Sequence, residues 1–214
     1  MSELLKKQNY GVEVEFTGIT RAMAAKAVAE VIGSTVTGPD HTCYHTRIIR
    51  DSQGRKWKIM RDSSIIPVRK TGNENTDEYR VEFVTPILKY DDLETLQAII
   101  RKFREIGGVP HASCGIHIHV DGANHTATSL RRLVNFMYSR QEIIYDALAV
   151  GSRKNRWCLP VCKNLLDTMK KDKNITTDSV EKIWYSPAND GYCGGIDHQH
   201  YNSTRYHALN LHSF

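Results

Sequence analysis

The sequence predicts an α+β fold, a mostly antiparallel sheet with helices packed on one face and the other face open to ligands. Three observations predict it. Strand-like segments before Pro86 are joined by turns, which favours antiparallel pairing. Two long segments, around 93–106 and 129–150, repeat apolar residues at helical spacing. The polar residues that alternate with the apolar ones along the strands are mainly carboxylates and histidines, an expensive set to bury and a useful set to expose.

The first strand is "YGVEVEF", Tyr10 to Phe16. Residues two apart in a strand point the same way, so Glu13 and Glu15 share one face and Val12, Val14 and Phe16 the other. Thr20 caps a predicted helix from Arg21 to Ile32, with Met23, Ala27 and Val31 on one stripe and Gly33 ending it. A strand follows over Tyr44 to Ile49. "DSQG" makes a turn, and "RKWKIMRD" returns as a strand. "TGNENTD" reads as a polar loop, and "EYRVEFVTPIL" as a strand ended at Pro86.

Asp91 or Asp92 caps the helix striped by Leu93, Leu96, Ile99, Ile100, Phe103 and Ile106, which Gly107 and Gly108 close. "GIHIHV" is a strand. Ser129 to Val150 is a second long helix, with Leu130, Leu133, Val134, Met137 and Ile144 periodic. Both helices are expected to cover the face that Val12, Val14, Ile116 and Ile118 present. The pattern weakens over 151–203, which reads as a less regular insertion, mobile or substrate-covering, in one domain spanning 1–214. "RYHALNLHSF" ends the chain as a strand.

Composition sets outer limits. Hydrophobic residues make up 40% and charged residues 25% of the 214 positions, an ordinary globular balance with enough chain for one substantial core. No apolar run reaches the ~20 residues that cross a bilayer, and the N-terminus lacks the apolar core of a signal peptide. A cytoplasmic, non-membrane protein is expected. Five scattered cysteines, Cys43, Cys114, Cys158, Cys162 and Cys193, do not form a disulfide framework. A net charge of +5 suits an anionic ligand such as a nucleotide without calling for nucleic acid.

Strand phase gathers the polar side chains. Glu82 opposes Val81 and Phe83 in "VEF", and His117, His119 and Asp121 oppose Ile116, Ile118 and Val120. Asp62 ends the strand on which Lys58 and Met60 are in phase with it. Taken singly, each is an ordinary strand residue; a lone His-x-His pair is as often structural as functional. Taken together, Glu13, Glu15, Asp62, Glu82, His117 and His119 form one candidate surface. Carboxylates with one or two imidazoles suit Mg²⁺ or Mn²⁺ better than zinc.

The ordered set "YGVEVEF", "MRDSSI", "VEFVTPIL", "CGIHIHVD" and "RYHALNL" resembles the amidoligase family, part of the carboxylate–amine ligase superfamily with glutamine synthetase and γ-glutamylcysteine synthetase. The resemblance implies a glutamine synthetase-like sheet that binds ATP and Mg²⁺ or Mn²⁺ and joins a carboxylate to an amine through an acyl phosphate. It implies metal ligation by Glu13, Glu15, Glu82 and His117. It implies a metal or amine contact at Asp62, a nucleotide contact at His119, a phosphate clamp at Arg205 and a nearby contact at Asn210. Small-molecule or peptide carboxylates and amines are the implied partners.

One departure stands out. The family pattern continues past "LNL" to a strand with a Glu-x-Arg pair, whereas this sequence ends at Phe214. Truncation at the C-terminus is therefore expected, with a second chain or a neighbouring copy supplying the strand. Two rival readings follow: a degenerate domain that binds a nucleotide or partner without catalysis, and a metal-dependent hydrolase using His117 and His119. No Walker-type phosphate loop is present.

Overall fold

In Tyr10–Phe16, Val12 and Phe16 sink into the core while Glu13 and Glu15 stay half-buried, and this alternation defines the two faces of the sheet. The computed structural model describes residues 3–69, 76–190 and 202–212. The chain divides into two compact units, Met1–Asp121 and Gly122–Phe214.

The first unit runs α1 (Glu3–Lys7), β1 (Tyr10–Phe16), α2 (Arg21–Ile32), β2 (Val36–Thr37), β3 (Arg47–Arg50), β4 (Lys56–Met60), β5 (Val81–Val84), α3 (Leu93–Glu105) and β6 (Ile116–Val120). Its six strands form one sheet in the order β2-β3-β4-β5-β1-β6. All the pairings are antiparallel, as the α+β reading expects. The first strand is thus internal, flanked by β5 and β6.

The core lies on one face. Phe16, Ile49, Trp57, Ile59, Val81 and Phe83 meet Ala24, Ala25 and Val28 of α2 and Ile99 and Phe103 of α3. Phe103 stacks on Phe16 at 4.7 Å between ring centres and meets Phe83 edge-on at 5.3 Å. The α2 boundaries are those predicted. The Thr20 hydroxyl accepts from the Met23 N–H, and Gly33 closes the helix at φ 67°, a left-handed conformation that glycine adopts without a Cβ clash. The predicted stripe is corrected at Met23, which is 44% exposed; the adjacent alanines bring the helix close to the sheet instead.

Two further expectations about α3 and β6 change. Asp92 precedes α3 without capping its first turn through the side chain. Its carboxylate accepts from the Lys89 N–H and from both terminal nitrogens of Arg55, at 2.8 and 2.9 Å, a stronger charge-assisted set. In β6, Ile116, Ile118 and Val120 are 67, 66 and 59% exposed, and within the first unit α2 and α3 do not reach them. The strand phase is nonetheless right. Ile118 lies opposite Val12 and Ile116 opposite Val14, on the apolar face. β6 is an edge strand, and none of its residues joins the core that α2 and α3 build.

The second unit holds α4 (Ala127–Ala147), α5 (Lys163–Lys171) and α6 (Thr177–Trp184). Leu130 and Val134 pack there with Leu165, Leu166, Met169, Val180 and Trp184, and Met137 packs against that cluster. The stripe of α4 expected to cover the sheet is therefore built into a helical core of its own. Thr126 and Ser129 cap one another's backbone N–H groups, which starts α4 two residues before the predicted Ser129. The predicted "RYHALNL" strand is also corrected. Ser203–Tyr206 is a single 3₁₀ turn, and His207 makes one isolated parallel bridge to Leu159. Leu209 and Leu211 pack against the helical core.

Among the described residues, no disulfide joins Cys43, Cys114, Cys158 or Cys162; Cys193 and most of the "TGNENTD" loop lie outside the described residues. Among the described residues, no helix is long and apolar enough to cross a membrane.

Candidate functional site

The ladder itself places the candidate side chains. Glu15 lies opposite Glu82, Met60 opposite Glu82, and Glu13 opposite His117; Gly11 faces His119. Directly opposed residues project to the same side of a sheet. Glu13, Glu15, Glu82, His117 and His119 therefore share the face turned away from α2 and α3. Asp62, two residues past β4, joins them. One carboxylate oxygen each of Glu15, Asp62 and Glu82 can be chosen so that all lie within 4.8 Å of one another.

Within that surface the residues fall into two groups. In the first, backbone N–H groups orient two of the carboxylates. Glu15 Oε2 accepts from Gly115 at 2.7 Å, and Asp62 Oδ1 accepts from Ser64 at 2.6 Å. Glu82 sits among them. Burial, and then the charges of Glu13, Asp62 and Glu15, push its carboxyl up to about 7. Full charges at this spacing repel by roughly 3–4 kcal/mol per pair in partly screened surroundings. A proton or a cation relieves the repulsion, and a hard divalent cation is the ligand that clustered carboxylate oxygens fit.

In the second group, Glu13 is paired with two imidazoles. Its Oε2 lies 3.1 Å from His117 Nδ1 and its Oε1 lies 3.3 Å from His119 Nε2. The hydrogen bond to His117 holds the Glu13 carboxyl below its ordinary range against the opposing effect of burial. The same bond raises His117, and the charges of Glu15, Glu13 and Glu82 add to it. Both rings remain more than half exposed, so they can exchange the carboxylate for another partner.

The five strand residues singled out from the sequence and Asp62 thus share one side of the sheet in the first unit. Arg205 and Asn210 belong to the second. The Arg205 guanidinium lies 5.6 Å from the centre of the Tyr206 ring. Asn210 Oδ1 accepts from the His212 N–H at 2.8 Å. Tyr206 also lines a surface recess with Asn155, Arg156, Trp157, Leu159 and Ser203, in which the Arg156 guanidinium lies over Trp157 at 4.5 Å.

Strand phase in the sequence places Arg80 on the face of Glu82, but it assigns no role to Arg80, Asp77 or Arg21. Asp77 and Arg80 look like ordinary polar residues next to a loop, yet they contact Arg21, Arg61 and the backbone around Asp62. The available signal was Arg80 itself, in phase with Glu82 one strand position earlier on the same face.

The model of the family described as "putative amidoligase enzyme" matches residues 6–214, across both units, and the chain belongs to that family. Among curated proteins and among solved structures, no match to the chain is found.

Proposed function

We propose that this chain is an ATP- and Mg²⁺- or Mn²⁺-dependent carboxylate–amine ligase that forms an amide or isopeptide bond through an acyl phosphate, on a glutamine synthetase-like sheet. Family membership supports the ligase class. The observation that carries the finer reading is the convergence of Glu15, Asp62 and Glu82 beside Glu13 and its two histidines on the open face.

In this reading Glu15 and Glu82 hold a divalent cation, with Glu13 and His117 completing the ligand set. When bound, ATP supplies the phosphoryl group that makes a carboxylate electrophilic, and the cation spreads the charge of that transfer. The protein's own contributions are orientation and proton handling. The Gly115 and Ser64 N–H groups aim Glu15 and Asp62. Asp62, which offers one carboxylate oxygen to the cation beside Glu15 and Glu82, binds the incoming amine in its ammonium form through the other and takes its proton, so that the amine attacks as the free base. His119 contacts the nucleotide, and the family resemblance adds Asn210 and Arg205 as candidate nucleotide and phosphate contacts.

The test is ADP release from the full chain with a panel of carboxylates, using hydroxylamine as the amine so that an acyl phosphate is captured as a hydroxamate. Hydroxamate formation that needs ATP, Mn²⁺ and a carboxylate, and that Glu82→Gln abolishes, is expected. Metal-dependent amide hydrolysis without nucleotide would replace the ligase by the hydrolase. Nucleotide binding with neither ADP nor hydroxamate would leave a binding domain.

A further inference from the structure

Asp62 is the least anchored member of the carboxylate cluster. Glu15 and Glu82 sit in the ladder, where neighbouring strands fix the backbone on both sides. Asp62 lies beyond the last residue of β4, in the stretch 61–65. It also faces two like charges, which push it away from the cluster when no cation is bound.

A set of arginines holds that stretch. The Arg80 guanidinium donates to the carbonyls of Ser63 and Ile65, directly after Asp62. On the other side, the Arg61 N–H donates to the Tyr44 carbonyl at 2.8 Å, and Arg61 Nε donates to Asp77 Oδ1 at 2.7 Å. Ile65 is fully buried and anchors the far end. Asp77 is itself fixed by Arg21, the first residue of α2, whose side chain is 1% exposed. Arg21 donates to the Asp77 carboxylate and carbonyl, to Glu78 at 2.9 Å, and to the Arg80 carbonyl at 3.1 Å. Arg80 is also two residues before Glu82. One side chain thus ties the Asp62 stretch to the strand that carries its partner.

We infer that Arg80, braced by Asp77, is a positioning residue that holds Asp62 against Glu15 and Glu82 and so sets the cation affinity of the open face. This rests on the cation-binding reading proposed above. Arginine suits the task because its planar fork reaches two carbonyls at once and stays charged; a lysine ammonium keeps the charge but not the fork. Outer contacts that orient ligands commonly account for about 10–100-fold in metal affinity.

The experiment is a Mn²⁺ titration of the full chain, followed by electron paramagnetic resonance of free Mn²⁺, for wild type, Asp62→Asn, Arg80→Ala, Arg80→Lys and the double variant Asp62→Asn/Arg80→Ala. Arg80→Ala is expected to weaken Mn²⁺ binding about 10-fold or more, with Arg80→Lys intermediate. The decisive readout is coupling. Once Asp62 is neutral and no longer a ligand, removing Arg80 should cost no further affinity, whereas a merely structural role would add its loss in full. If Arg80→Ala does not fold, Arg80→Lys carries the test in the same cycle. Asp62→Asn weakening binding while neither Arg80 variant does would overturn this inference and leave the cation site standing. Failure of the wild type to bind Mn²⁺ would overturn both.

Discussion

Glu82 and Glu13 project from neighbouring strands into the same side of the sheet, yet their surroundings pull their carboxyls in opposite directions. Glu82 is pushed up to about 7 by burial and by the acids around it. Glu13 is held below its ordinary range by His117, with His119 adding to the effect. The difference is one of inventory: Glu13 has two imidazoles beside it, and Glu82 has carboxyl groups. A carboxylate engaged by such partners can remain ionised without help. One surrounded by its own kind must take up a proton or a cation, which is why the Glu82 side of the face is the stronger candidate for an ion.

The largest effect expected from that contrast is on cation affinity. Glu82→Gln and Glu15→Gln should each weaken Mn²⁺ binding by about 100-fold, since in the proposed reading each removes a ligand rather than one of its supports, which alone is worth about 10–100-fold. Glu13→Gln should weaken it less, because the Glu13 oxygens are already engaged by His117 and His119. Isothermal titration of the three variants checks the ranking. Equal losses at Glu13 and Glu82 would erase the distinction between the two groups.

Next in size is the pH dependence of stability in the cation-free chain. The Glu82 carboxyl has an ordinary value of 4.5 and a folded value of about 7. Between these the folded chain holds the extra proton, so the Glu82 contribution to stability falls as pH rises from about 4.5 to about 7 and stays unfavourable above that. Glu13 and His117 run differently. The Glu13 contribution is present above its ordinary value of 4.5 and is lost as pH falls through its lower folded value. The His117 contribution is complete below 6.5 and is lost as pH rises through its higher folded value. Urea unfolding in EDTA at a series of pH values should therefore show Glu82→Gln gaining stability over wild type at pH 8 but not at pH 4.5. Saturating Mn²⁺ should remove that gain. Removing the ring with His117→Ala should change stability by only ~1 kcal/mol or less, as exposed pairs do.

The contrast also shows what the sequence could reveal. A strand repeats every two residues, so the phase of Glu13, Glu15, Glu82, His117 and His119 was readable from "VEVEF", "VEF" and "IHIHV" alone, and the ladder bears that phase out. The α2 boundaries were readable because Thr20 and Gly33 carry local, geometric signals. Pairing partners were not. That Glu13 meets His117 while Glu15 meets Glu82 depends on register between strands far apart in sequence, and that register splits one polar face into two electrostatic environments. The roles of Arg21, Asp77 and Arg80 were hidden for the same reason, since they join residues far apart in sequence and run partly through backbone carbonyls that no residue pattern encodes. The destination of the α4 stripe was hidden too. Leu130, Val134 and Met137 announce an apolar face but not what it packs on, and a second core claims it.

The smallest effect separates the phase of β6 from its burial. Ile118 flanks His117 and His119 in sequence and points to the opposite side, where it is 66% exposed. Were it buried as the sequence predicts, truncating it would cost roughly 2–5 kcal/mol. Ile118→Thr keeps a β-branched side chain suited to an extended strand while removing apolar surface. At 66% exposure it should change unfolding stability by only ~0.5 kcal/mol, and Mn²⁺ affinity not at all, because neither histidine moves. A loss of 2 kcal/mol or more would show that this face of β6 is covered in solution. A loss of Mn²⁺ affinity at unchanged stability would show that the edge strand shifts register easily, carrying His117 and His119 away from Glu13, and the tidy separation of the Glu13 group from the Glu82 group would then depend on what holds β6 in place.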